Sequence, residues 1–227
     1  MTLSHGMLHA KIGKFFLERG AAPTIAQLSE QLGHDRTTVA AALQALAAYH
    51  GVVLHPGSGE IWVMHPFSSA PTSFWVESDR GRWWGNCAWC SLGIVALLGT
   101  DATITTTLGG ESEQVVLRIQ DGEVVPSTYC VHFPIPMACA WDNVIFTCST
   151  MLVFASPEAV DRWCDRHALP RGDVQPVSKV WAFAQAWYGR HLDPEWTKWT
   201  TDEARTIFAR FGLEGPIWAL PSTEERF

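Results

Sequence analysis

The hydrophobic pattern changes period part-way along this chain, which restricts the fold to one with separate helical and sheet regions. Between Leu8 and Ala47 apolar residues recur at helical spacing, whereas from Ala102 onward several segments alternate as strands do. Leu8, Ile12, Phe15 and Phe16 share one helical face. Thr24 is a good N-cap for a short helix carrying Ile25, Leu28 and Leu32, and Gly33 closes it. Asp35 opens a third helix with a stripe of Val39, Leu43, Leu46 and Ala47. Val52–His55 and Ile61–His65 read as extended pieces joined by Pro56-Gly57-Ser58-Gly59, a hairpin signal. Three helices and a hairpin predict a winged-helix-like module over residues 1–66. Its third helix has only Arg36 as a cation near the start, so a structural or dimerising role is favoured over DNA binding.

Residues 66–71, rich in Pro, Ser and Ala, read as a linker to a second region over residues 72–227. There, Trp89–Leu98 predicts a helix ended by Gly99. Ala102–Leu108, Val115–Ile119, Glu123–Val125, Val131–Phe133 and Thr150–Phe154 predict strands. Gly109-Gly110 and Asp121-Gly122 fit turns between them. Ser156-Pro157 opens a helix through His167, and further helices are expected over Val177–Tyr188 and Thr201–Phe211. The predicted class is α+β: a helical module followed by a mostly antiparallel sheet with flanking helices.

Composition narrows the function. A net charge of −7 disfavours a nucleic-acid partner, whose binder would be basic. No apolar run approaches the length of a membrane span, and the N-terminus has no signal-like apolar stretch. Six cysteines without such a signal read as reduced thiols, so a cytoplasmic protein is expected.

Cys90 and Cys148 each sit in tryptophan-rich apolar surroundings: Arg82-Trp83-Trp84-Gly85-Asn86-Cys87-Ala88-Trp89-Cys90-Ser91-Leu92-Gly93 and Trp141-Asp142-Asn143-Val144-Ile145-Phe146-Thr147-Cys148-Ser149-Thr150. Thiols so placed are either small core residues or a pocket for a soft metal. Cys87 and Cys90 form a Cys-x-x-Cys, but no second such pair exists to complete a zinc ribbon. The start of a helix lowers a thiol's pKa, which favours Cys90 as the reactive member. Cys130, Cys139 and Cys164 read as structural. His132 reads as a hydrogen-bonded strand residue. Trp83, Trp84, Trp89 and Trp141 serve equally as pocket walls or as core.

Trp89-Cys90-Ser91-Leu92 ahead of an apolar helix, with Cys148 later followed by Val153-Phe154-Ala155-Ser156, resembles the organomercurial (alkylmercury) lyase family. The helical front end and the helix after Ser156 extend the likeness over nearly the whole chain. The resemblance implies protonolysis of carbon–mercury bonds, with Cys90 and Cys148 as the two catalytic cysteines. It implies a small-molecule substrate, no required cofactor, and Hg(II) as product or ligand; a homodimer is a further expectation. The family pattern places an aspartate three residues after the first cysteine, and this chain has Gly93 there. Asp142 is the substitute acid that the sequence offers, against a simpler role in turning the chain. Ser91 and Ser149, beside the two thiols, are candidate hydrogen-bond donors to a bound group. The expectation is thus a lyase-like enzyme with altered activity. The alternatives are an enzyme on the same scaffold acting on a non-mercurial organic substrate, as in biosynthesis, and a non-catalytic thiolate binder. Each requires the two sulfurs to share one cavity.

Overall fold

Ser4 starts helix α1 (His5–Arg19) by accepting a hydrogen bond from the Met7 amide, and Thr24 with Gln27 forms a capping box on α2 (Ile25–Leu32). Asp35 caps α3 (Arg36–Ala48). These helices bury Leu8, Ile12, Phe16, Leu28, Leu43 and Leu46, the apolar stripes that the spacing predicts. The computed structural model describes residues 3–111 and 113–220. The outermost ends of the two expected regions, residues 1–2 and 221–227, lie outside the described residues.

After the helices the chain enters strands β1 (Val53–Leu54), β2 (Ile61–Met64), β3 (Phe67–Ser68), β4 (Trp75–Ser78) and β5 (Gly81–Gly85). Helix α4 (Ala88–Leu98) follows, then β6 (Ala102–Thr107), β7 (Gln114–Gln120) and β8 (Glu123–Val124). These eight strands form one antiparallel sheet in the order β1-β2-β3-β5-β4-β6-β7-β8. The early hairpin is therefore continuous with the later strands. Residues 66–71, expected as a linker, contain β3, whose Phe67 and Ser68 are buried and pair on both sides. The double tryptophan of the Trp83-Trp84 run lies in strand β5.

The rest of the chain adds β9 (Cys130–Phe133), α5 (Val144–Thr150), β10 (Val153–Phe154), α6 (Pro157–His167), β11 (Asp173–Pro176), α7 (Val177–Tyr188) and α8 (Thr201–Arg210). β10, β9 and β11 make a second antiparallel sheet. Two expectations fail in detail. Thr150–Phe154 is not a strand throughout, because the Asn143 side chain caps a helix that runs to Thr150 and leaves only Val153–Phe154 extended. α8 is capped by Thr200 rather than Thr201, since Thr200 completes a capping box with Glu203. No helix of the described residues is long and apolar enough to cross a membrane.

Alternation in β6 and β7 turns Ile104, Leu117 and Ile119 inward, each contributing about 1.5–3 kcal/mol by burial. Trp83 ties the helical front to this sheet: its indole nitrogen donates to the Phe16 carbonyl at 2.8 Å, and Phe16 stacks on Phe67. Helix α4 is apolar all round, as befits a helix enclosed on every side. It packs between the sheet and α7, and its first turn opens towards a cleft.

Candidate active site

The start of α4 is built from the Cys-x-x-Cys. Cys87 is the N-cap, with extended backbone, and its sulfur accepts a hydrogen bond from the Cys90 amide at 3.2 Å. Cys90 thus sits in the first helical turn, near the positive end of the helix dipole. Cys148 arrives from α5, a helix that the sequence reading did not foresee ahead of the strand expected from Thr150. A third side chain joins from the turn after β2: His65 Nε2 lies 3.5 Å from Cys148 Sγ. The donor atoms of His65, Cys90 and Cys148 all lie within 4.8 Å of one another, so both sulfurs and one imidazole nitrogen face a common point.

Tyr188, at the last position of α7, completes the group, with its hydroxyl 3.4 Å from Cys90 Sγ. Gly93 explains why the tyrosine fits. A Cβ at Gly93 would fall 2.3 Å and 2.5 Å from two Tyr188 ring carbons, so the ring fills the space a side chain would need. At the position where the sequence resemblance leads one to expect a carboxylate, the edge of a phenol fills the space.

The three thiols differ electrostatically. Burial pushes Cys90 up, but hydrogen bonding with Cys148 and Cys87, the field of His65 and the Tyr188 hydroxyl reverse this and hold it well below an ordinary thiol. Cys148 moves the other way, raised by its hydrogen bonds to Cys87 and Cys90 and by burial. Burial also raises Cys87 and Tyr188. Cys90 is therefore the group that ionises first, ahead of Cys87, Cys148 and Tyr188. Burial lowers His65, opposed in part by the charge of Cys90.

These groups form one wall of a cleft of about 90 Å³, also lined by Trp89, Trp141, Trp187, Trp196, Met137 and Met151. Its lining contains no Asp or Glu among the described residues. The scaffold reaches it from several directions: His9 stacks on Trp196 at 3.7 Å, His50 stacks on Trp141 at 4.5 Å, and Trp89 stacks on Phe183 at 4.5 Å. Two ring nitrogens in the walls, Trp89 Nε1 and His191 Nδ1, are buried without a hydrogen-bond partner among the described residues.

The sequence model of the MerB alkylmercury lyase family matches residues 67–189, more than half of the chain and the stretch that carries Cys90, Cys148 and Tyr188. The chain belongs to the alkylmercury lyase family. Among solved structures, the mercury-bound form of MerB2 is similar at 20% sequence identity and a TM-score of 0.64, covering 81% of this chain and 91% of that one. No curated protein matches the sequence.

Of the residues expected in the site, Cys90, Cys148, Trp89 and Trp141 line the cleft. Gly93 lies behind it, against Tyr188. The others lie elsewhere. Asp142 is exposed, beyond the cleft lining, in the turn that leads to α5. Trp83 is buried beneath α1, and Trp84 packs on Trp75 across the β4–β5 pair. Ser91 and Ser149 donate to the carbonyls of Ala88 and Phe146 in their own helices. Cys130 and Cys164 are buried outside the cleft, Cys130 pushed up to about 11 by burial, and Cys139 is exposed. His132 Nε2 donates to the Arg171 carbonyl, 2.7 Å away, as a strand residue. Sequence reasoning missed His65, Tyr188 and the capping role of Cys87. The Cys-x-x-Cys spacing, which suits a side-chain cap on the amide three residues on, was the available signal for Cys87 alone.

Proposed function

We propose that this protein cleaves the carbon–mercury bond of small organomercurials by protonolysis, with Cys90 and Cys148 as its working thiols. The observation that carries the proposal is the meeting of a depressed thiol, Cys90, and a raised one, Cys148, at one end of an apolar cleft. Mercury is soft and favours sulfur, so the Cys90 thiolate takes R–Hg⁺ and forms a sulfur–mercury bond. Cys148 then adds its sulfur to the metal. The proton it gives up ends on the departing carbon as the carbon–mercury bond breaks. The products are R–H and Hg(II) held by two thiolates, which free thiols in solution carry off. No external acid is consumed, so the balance closes without the missing aspartate. The tryptophan and methionine walls suit an apolar R group and keep water from the bond being broken.

The test is benzene release from phenylmercury in the presence of excess thiol. Wild type should release benzene, and Cys90→Ser and Cys148→Ser should not; equal release from all three would refute the proposal. A second reading is favoured by one observation, the unpartnered Trp89 Nε1 and His191 Nδ1 in the cleft walls, which suit an organic substrate with hydrogen-bonding atoms. On that reading wild type releases no benzene, and a polar organic ligand occupies the cleft. A thiolate binder would instead retain phenylmercury intact.

A further inference from the structure

We infer that His65 takes over the acid's task in this chain, carrying the proton of Cys148 to the leaving carbon. The inference rests on the carbon–mercury cleavage proposed above and adds the residue that moves the proton. Three observations lead to it. The position of the family's acid is closed, because the Tyr188 ring occupies the space beside Gly93. No carboxylate lines the cleft among the described residues. The imidazole of His65 has its Nε2 3.5 Å from Cys148 Sγ and within 4.8 Å of Cys90 Sγ, beside the point where both sulfurs meet a metal.

The ring is held in the state the task requires. The buried Asn86 side-chain nitrogen lies 3.1 Å from the same Nε2. An amide nitrogen only donates, so Nε2 is an acceptor and the neutral ring carries its proton on Nδ1. Nε2 is thus aimed at two donors, the Asn86 amide and the Cys148 thiol. When Cys148 sulfur binds R–Hg–S(Cys90), its S–H bond breaks and the proton passes to Nε2. The imidazolium so formed is a stronger acid than either a thiol or a phenol. It returns the proton to carbon as the carbon–mercury bond opens, and its ring is neutral again. One proton leaves Cys148, one hydrogen arrives on carbon, and one carbon–mercury bond is exchanged for a mercury–sulfur bond. Tyr188 does not reach Cys148 by hydrogen bond; its hydroxyl is committed to the Cys90 sulfur, which it steadies as a thiolate.

The test separates capture from cleavage. Full-length wild type, His65→Gln and His65→Asn are each mixed with one equivalent of phenylmercury, and benzene and the intact protein–phenylmercury adduct are followed by mass spectrometry. Both variants should still form the phenylmercury adduct on Cys90, but the captured adduct should be cleaved about 10²–10⁴-fold more slowly, the usual worth of a positioned proton donor. His65→Gly should accumulate the adduct, and added imidazole should restore benzene release, which a merely structural role for the ring would not allow. Cleavage by His65→Gln and His65→Asn at the wild-type rate would overturn the inference while leaving the two-thiol reading intact. So would a folded His65→Gly that stays inactive with imidazole. An absence of benzene from wild type would overturn both.

Discussion

Gly93→Ala probes the packing of the Tyr188 ring against helix α4. The new Cβ would lie 2.3, 2.5 and 2.9 Å from Cδ2, Cε2 and Cγ of Tyr188, all closer than side-chain carbons approach. The ring cannot swing aside easily, because Trp89 and His191 pen it at centroid distances of 5.6 and 4.8 Å. Overpacking of this kind costs about 1–3 kcal/mol. Replacing glycine by alanine inside a helix returns about 1 kcal/mol. With the ring penned, the upper part of the overpacking range applies, and the net loss is about 1–2 kcal/mol. For a chain of this size that lowers the melting temperature by about 2–8 °C. Thermal unfolding followed by circular dichroism should be run on Gly93→Ala, Tyr188→Ala and the double variant. Tyr188→Ala alone should lose about 3–5 kcal/mol, as large-to-small changes of buried aromatic residues do. Once the ring is gone, adding Gly93→Ala should stabilise, so the effect of the same substitution changes sign. A Gly93→Ala protein as stable as wild type, or one equally destabilised in both backgrounds, would refute the reasoning. Gly93→Asp follows the same logic: placing a carboxylate there alone should lower cleavage, because the side chain is driven against Tyr188.

Other consequences are simpler to check. Cys87→Ala removes the sulfur that caps α4 and should cost about 1 kcal/mol in stability, whereas Cys87→Ser keeps a cap and should cost less, both read by denaturant unfolding. Cys90 is held below an ordinary thiol, so its alkylation by iodoacetamide should persist to lower pH than that of a free cysteine, while Cys148, shifted the other way, should need higher pH. A rate for Cys90 that rises steeply through the ordinary thiol range would contradict this. Burial holds His9 at about 3 in the folded protein, with His191 shifted the same way. The unfolded chain therefore binds more protons between pH 6.5 and about 3, and stability should fall by a few kcal/mol as pH drops through that window. His9→Gln should flatten the decline. Asp142→Asn should leave cleavage unchanged, since that carboxylate is exposed beyond the cleft.

How much of this was legible in the sequence follows from the range over which each signal acts. Caps and periodicity are local, so Ser156-Pro157 marked α6 and the alternation of Ala102–Thr107 marked β6. The Cys-x-x-Cys and the apolar run after it located α4 and its reactive thiol. Cys148 was found as a residue but its helix was not, because a seven-residue helix capped by Asn143 is too short to show a period. The strands of Trp75–Ser78 and Gly81–Gly85 escaped because their tryptophans read equally as pocket or core. His65 and Tyr188 are single residues, 83 and 98 positions from the cysteines they touch, and nothing in their neighbourhoods foretells the contact. Gly93 marked the place where the resemblance leads one to expect an acid, but only the structure shows that the Tyr188 ring fills the space beside it.

The central claim is that two thiols take mercury from carbon and keep it between them. It is tested most directly by a single turnover without added thiol: one equivalent of phenylmercury, with benzene and titratable thiols both counted. The account predicts one benzene per protein and the loss of two titratable thiols, mapped to Cys90 and Cys148. No benzene, with a single thiol masked by an intact phenylmercury group, would contradict it.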